Sequence, residues 1–119
     1  MTKVLIIDDD TDTLALMNVL ITRQGYKVET AFSKIDALSK LNSFQPSIIL
    51  LDVLLSGFDG RQFCRELKQT TKTKSVPVIM ISAHPGAAEN INSYGADDFI
   101  SKPINSQVLL EKLEKFVSQ

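Results

Sequence analysis

The stretch Ser47-Ile48-Ile49-Leu50-Leu51-Asp52 is apolar for four residues running and ends on a carboxylate. A strand apolar on both faces belongs in the middle of a parallel sheet, covered by helices on each side. Three other runs repeat the design: Val4-Leu5-Ile6-Ile7 leads into Asp8-Asp9, Val78-Ile79-Met80-Ile81 into Ser82, and Asp98-Phe99-Ile100-Ser101 into Lys102. Parallel strands of one sheet open their tips at the same edge, and ligands of open α/β sheets bind at that carboxyl edge. The pattern therefore predicts that three carboxylates, a hydroxyl and an ammonium converge from distant parts of the chain.

Between these runs the apolar period changes from that of a strand to that of a helix, so strands and helices alternate five times over. Residues 3–8 read as the first strand and 10–24 as a helix that buries Leu14, Met17, Leu20 and Ile21, capped by Asp10, Thr11 or Asp12 and stopped by Gly25. Residues 26–31 form a more exposed strand, and 33–44 a helix with Ser33 as cap and Ile35, Leu38 and Leu41 inward. Asp59 starts the next helix, with Gln62 at the third position and Phe63 and Leu67 as its apolar face. After the strand at 76–82, the segment 85–94 carries Gly86, two asparagines and only Ile91 and Tyr94 as large apolar anchors, so a fourth helix there should be short or mobile. Asn105 caps a last helix whose inward residues include Val108, Leu109, Leu113 and Phe116.

A chain of 119 residues suits a single domain, residues 1–119, and 44% apolar content is that of a folded globule. The net charge of −1 lacks the basic footprint that direct nucleic-acid binding requires. A lone cysteine, Cys64, excludes an internal disulfide and a cysteine-rich zinc site, and beside Phe63 it reads as a buried, inert thiol. No apolar run reaches transmembrane length, and Met1-Thr2-Lys3 leads straight into a strand rather than a signal peptide. The expected location is the cytoplasm, away from membranes.

Clustered carboxylates repel, by roughly 4 kcal/mol for two unit charges about 4 Å apart at an effective dielectric near 20. A hard divalent cation relieves this, and magnesium is usually held by one or two carboxylates, waters and a phosphate oxygen. Asp8 and Asp9 suit such a role, although a solvated acidic turn capping the first helix remains the alternative. Asp52 is harder to assign to structure alone, because a charge at the end of a fully apolar strand is costly unless paired or metal-bound. A carboxylate is also a competent nucleophile toward a phosphoryl group, giving an aspartyl phosphate. Lys102 could hold an equatorial phosphate oxygen and Ser82 donate to another.

Four segments carry a resemblance. Val4-Leu5-Ile6-Ile7-Asp8-Asp9-Asp10, Leu51-Asp52-Val53-Leu54-Leu55-Ser56-Gly57-Phe58-Asp59-Gly60, Val78-Ile79-Met80-Ile81-Ser82-Ala83 and Gly95-Ala96-Asp97-Asp98-Phe99-Ile100-Ser101-Lys102-Pro103 occur in this order. Together they strongly resemble the receiver domain of two-component response regulators, of the chemotaxis type, over essentially the whole chain. The resemblance implies an α/β, doubly wound, flavodoxin-like fold: a five-stranded parallel sheet of strand order 2-1-3-4-5 with five helices. It implies that Asp52 is the phosphoacceptor, that Asp9 ligates Mg2+ (or Mn2+ in its place) directly, and that Asp8 acts largely through water. Leu54 would offer its backbone carbonyl to the metal. Ser82 would be the switch hydroxyl, Phe99 the switch aromatic, and Lys102 the phosphate-pairing lysine followed by a cis peptide to Pro103.

The implied partners are a sensor histidine kinase or a histidine phosphotransfer protein, and downstream a protein partner or an output domain outside this chain. The protein would be a switch taking part only in its own phosphorylation and dephosphorylation, not an enzyme with an external substrate. Two departures stand out: Ser56 occupies a place where the family usually has proline, so the loop should be less stiff, and the chain is about two residues short between Ser82 and Gly95. His84, an exposed loop histidine on the plainer reading, could with Leu54 tune the lifetime of the phosphorylated state. Three aspartates after the first strand argue against a flavodoxin phosphate loop, and Leu54 breaks the Asp-x-Asp of a haloacid-dehalogenase phosphatase. A phosphorylation-independent pseudo-receiver, acting as an interaction module, is the remaining alternative.

Overall fold

The computed structural model of the protein describes residues 2–117; Met1 and residues 118–119, which the expected 1–119 domain includes, lie outside them. The main sheet consists of β1 (Lys3–Ile7), β2 (Lys27–Ala31), β3 (Ile48–Asp52), β6 (Val78–Ser82) and β7 (Asp98–Ser101), and a small antiparallel hairpin, β4 (Leu54–Leu55) and β5 (Phe58–Asp59), follows β3. The strand order β2-β1-β3-β6-β7 is the doubly wound order 2-1-3-4-5, and every pairing in it is parallel. The helices are α1 (Thr11–Thr22), α2 (Lys34–Phe44), α3 (Gly60–Gln69) and α4 (Ser106–Val117).

Alternate residues of each strand point to opposite faces, so the fully apolar strands build two cores. Leu5, Ile7, Ile49, Leu51, Val78 and Met80 pack with Ala37 and Phe44 of α2 and Phe63, Cys64 and Leu67 of α3. Val4, Ile6, Ile48, Leu50, Ile79 and Ile81 pack with Leu14, Met17 and Ile21 of α1 and Leu109 and Leu113 of α4. Cys64 is fully buried, and burial pushes its thiol up to about 11, as an inert core thiol requires.

The caps follow the sequence. Asp10 caps α1 by accepting from the Asp12 N–H at 3.1 Å and the Thr13 hydroxyl at 2.8 Å, which leaves Asp8 and Asp9 for other partners. Ser33, Asp59 and Asn105 accept from the N–H groups of Asp36, Arg61 and Val108 at the starts of α2, α3 and α4.

Three expectations need correction. In α2, Ile35 is 83% exposed and Leu38 half-exposed, and burial falls instead on Ala37 and Phe44 with Leu41 packed beside them. Steps of three residues precess around a helix, whereas 37, 41 and 44 keep the 3.6-residue period and stay on one face. In α4, Val108 likewise lies on the solvent side, and Leu109 and Leu113, four apart, carry the contact. Thirdly, the described residues contain four α-helices, not five: the segment expected as the fourth is two 3₁₀ turns, Pro85–Ala88 and Ile91–Tyr94. Asn90 between them takes the left-handed conformation at φ 62°, which ends one turn before the next begins.

Gly60 lets the start of α3 close on the end of β3. Its N–H donates to the Val53 carbonyl at 2.7 Å, and a Cβ there would lie 2.0 Å from the Asp52 carbonyl oxygen.

Urea unfolding should separate these environments. Leu113→Ala should cost about 2–5 kcal/mol, as truncation of a buried leucine does, and Ile35→Ala less than about 0.5 kcal/mol. Gly60→Ala should cost about 1–3 kcal/mol, because backbone has to move to admit the methyl group.

Candidate functional site at the carboxyl edge

Asp8 follows directly on β1, and its N–H continues the ladder to the Ala31 carbonyl at 3.0 Å. The side chain is fully buried. Its Oδ1 accepts from the Asp10 N–H at 2.9 Å, and its Oδ2 lies 2.9 Å from Lys102 Nζ. That contact is ionic: among the described residues Oδ2 has no aligned hydrogen-bond donor. Asp9, next in sequence, faces solvent, and its Oδ2 accepts from both the N–H and the hydroxyl of Ser56, at 3.0 and 2.7 Å. Asp52 ends β3 opposite Ile81 and is 5% exposed. Lys102 Nζ stands 3.6 Å from its Oδ2, and the Leu54 N–H approaches Oδ1 at 3.4 Å. One carboxylate oxygen from each of Asp8, Asp9 and Asp52 lies within 4.8 Å of the others.

Ser82 ends β6 and is 1% exposed. Its carbonyl accepts from the Lys102 N–H at 2.9 Å, tying the two residues together, and its Oγ accepts from the His84 N–H at 3.0 Å. The Lys102–Pro103 peptide is cis, as the resemblance implies. Phe99 is half-buried against the core on the α2/α3 side of the sheet, and its carbonyl accepts from Lys112 Nζ at 2.6 Å. His84 is exposed and reaches the cluster through its backbone, while Leu54 presents an exposed side chain and touches Asp52 through its N–H.

The electrostatics show a surplus of negative charge. Burial, then the neighbouring Asp8 carboxylate, push the Asp52 carboxyl up to about 7 against the pull of Lys102. Burial works against the Lys102 charge, yet Asp8, Asp52 and Asp10 together hold its ammonium above the ordinary lysine value. A hard cation with oxygen ligands fits this set, and the buried Asp8 Oδ2, lacking an aligned donor, is the acceptor such an ion would satisfy.

Two residues have roles in the site that their sequence context does not reveal. In sequence Ser56 signals only a less stiff loop, but its N–H and hydroxyl, both missing from proline, grip Asp9. Gly60 carried no spacing signal of its own, since only the approach of α3 to the Asp52 peptide demands it.

Comparison with known proteins agrees with this geometry. The family model described as Response regulator receiver domain matches residues 4–114. The chain is 35% identical over 113 residues to Response regulator PleD of Caulobacter vibrioides, covering 93% of this chain and 25% of that protein. It is 35% identical over 111 residues to Transcriptional regulatory protein AfsQ1 of Streptomyces coelicolor, covering 92% of this chain and 48% of that one. The chain thus spans between a quarter and a half of these curated relatives. Among solved structures, chemotaxis protein CheY4 of Vibrio cholerae superposes with a TM-score of 0.90 at 27% identity, covering 98% of both chains. The receiver domain of NtrX from Brucella abortus gives 0.89 at 31% identity, again covering 98% of both. The carboxyl-edge cluster, the doubly wound sheet and a family match over nearly the whole chain agree: the chain belongs to the response regulator receiver domain family of two-component signalling.

Proposed function

We propose that the protein accepts a phosphoryl group on Asp52 from the phosphohistidine of a sensor kinase or histidine phosphotransfer protein. The observation that carries this is the position of Asp52, nearly buried at the tip of the central strand between Asp8, Asp9 and Lys102. An Asp52 carboxylate oxygen attacks phosphorus, the P–N bond of the donor breaks, and its electron pair leaves on the imidazole nitrogen. Lys102, 3.6 Å from Asp52 Oδ2, stands where negative charge accumulates on the transferred group. Bound by Asp8, Asp9 and Asp52, with the Leu54 carbonyl as a further ligand, Mg2+ (or Mn2+) would neutralise charge during transfer.

The readout follows from hydrogen bonding. Ser82 Oγ accepts from His84 but keeps its own proton free to donate, so a phosphoryl oxygen on Asp52 would draw it away from the His84 N–H. Repacking of the half-buried Phe99 would then shift a pre-existing equilibrium toward a second surface. His84, with Leu54, would tune how long the phosphoryl group survives. On this reading the protein is a switch, not an enzyme with an external substrate. It works in the cytoplasm, in keeping with the finding that no described helix is long and apolar enough to cross a membrane. Its output is delivered by a protein partner or by a further domain of the kind its longer relatives have room for.

Intact mass after incubation with magnesium and a small acyl-phosphate donor should show one added phosphoryl group in the wild type and none in Asp52→Asn. No increase in the wild type, or an equal one in the variant, would instead favour a phosphorylation-independent interaction module. The charge surplus has its own test. Folded Asp52 keeps its proton to about pH 7, whereas an ordinary carboxyl releases it near 3.8, so the folded state binds more protons in between. The stability this contributes is full below about pH 4 and lost as pH rises to about 7. The urea midpoint of the metal-free protein should fall across that window, Asp52→Asn should flatten the fall, and magnesium, which binds the ionised form, should reverse it. A slope identical in Asp52→Asn would contradict the strain assigned to Asp52.

A further inference from the structure

Ser56 sits at the tip of the β4–β5 hairpin, in the two-residue turn between Leu55 and Phe58. Gly57 takes the left-handed corner of that turn at φ 72°, which leaves Ser56 free to turn its N–H and hydroxyl the same way. Both groups meet one oxygen of Asp9, 47 residues away in sequence, at 3.0 and 2.7 Å. The hydroxyl contact is as short as a charge-assisted O–H···O⁻ bond. We propose that Ser56 is a positioning residue for the metal-binding carboxylate Asp9, holding it in the cluster with Asp8 and Asp52 before any cation arrives. The inference rests on the metal-dependent reading given above.

Asp9 needs such a device more than its neighbours do. Asp8 is fully buried and fixed by the Asp10 N–H and Lys102, and Asp52 is 5% exposed and flanked by Lys102 and the Leu54 N–H. Asp9 is exposed, and Ser56 supplies the only hydrogen bonds its side chain makes among the described residues. Without them the carboxylate would rotate into water, away from two like charges.

The hairpin is also a firm support. Leu55 is 6% exposed, and Phe58 packs edge-to-face on Phe63 with ring centroids 6.0 Å apart, under the Lys34 ammonium at 3.7 Å. The ordering of the Ser56 donors is therefore already met by the fold, and little is left to lose when they grip Asp9. A carboxylate offers about four acceptor directions; with Oδ2 engaged twice, Oδ1 stays available for a cation. Fixing the orientation of a ligating carboxylate in this way typically accounts for 10–100-fold in metal affinity.

The test is a magnesium titration of the full chain followed by amide NMR shifts, with urea midpoints recorded in the absence of metal. Ser56→Ala, which keeps the N–H and loses the hydroxyl, should bind magnesium about 10-fold more weakly with an unchanged metal-free midpoint. Ser56→Thr, which restores the hydroxyl, should bind within about twofold of wild type, and Ser56→Pro, which removes both donors, more weakly than Ser56→Ala. In the metal-free protein the Ser56 amide proton should lie downfield and move upfield in Asp9→Asn. Affinity in Ser56→Ala equal to wild type would overturn the proposal, as would tighter binding, which would make Ser56 a competitor of the ion. If the wild type itself binds no magnesium, the metal-dependent reading fails as well, an outcome distinct from a failure confined to the Ser56 variants.

Discussion

Asp8, Asp9 and Asp52 hold carboxylate oxygens within 4.8 Å of one another against the one ammonium of Lys102. Each pair of like charges at such distances costs on the order of a few kcal/mol even at an effective dielectric near 20. The rest of the site is organised around that repulsion. Burial first, and the neighbouring Asp8 carboxylate after it, push the Asp52 carboxyl up to about 7, and Lys102, 3.6 Å from Asp52 and 2.9 Å from Asp8, pulls only partly against them. A group so poised is open to whatever removes its charge or balances it, whether a proton, a cation or a phosphoryl group with its counter-ion. The sheet tolerates the strain because β3 and β6 are buried through their whole length, and β1 from Val4 to Ile7, and hold their tips in place.

Strand tips of this kind are legible in sequence because a buried parallel strand is written as an unbroken apolar run, and the residue that ends the run is the one delivered to the carboxyl edge. That rule predicts Asp52, Ser82, Lys102 and the Asp8-Asp9 pair at one edge, and the structure clusters Asp8, Asp9, Asp52 and Lys102 there and ties Ser82 to Lys102 through the backbone. The strand order was legible only through resemblance, since periodicity says that a strand is central but not which neighbours it takes.

What the sequence hid depends on helix phase and on contacts between distant loops. Ile35 and Leu38 looked inward because they are large and apolar, but a small residue, Ala37, sits against the sheet where α2 approaches it. Residue size misleads wherever close packing favours a methyl group over a branched chain. Between Pro85 and Tyr94, weak propensity correctly marked a weak element, yet propensity could not say that the chain would resolve into two 3₁₀ turns around a left-handed Asn90. Ser56 and Gly60 act across the fold, one on Asp9 and the other on the Asp52 peptide, and no local pattern encodes either contact.

That the strained carboxylate at the tip of β3 is the group that reacts can be tested by chemical trapping. Borohydride reduces an aspartyl phosphate to homoserine and leaves ordinary carboxylates intact. After exposure to magnesium and an acyl-phosphate donor, reduction and peptide mapping should place homoserine at position 52 alone. Homoserine at position 8 or 9, or at none of the three, would contradict the assignment of Asp52 as the acceptor.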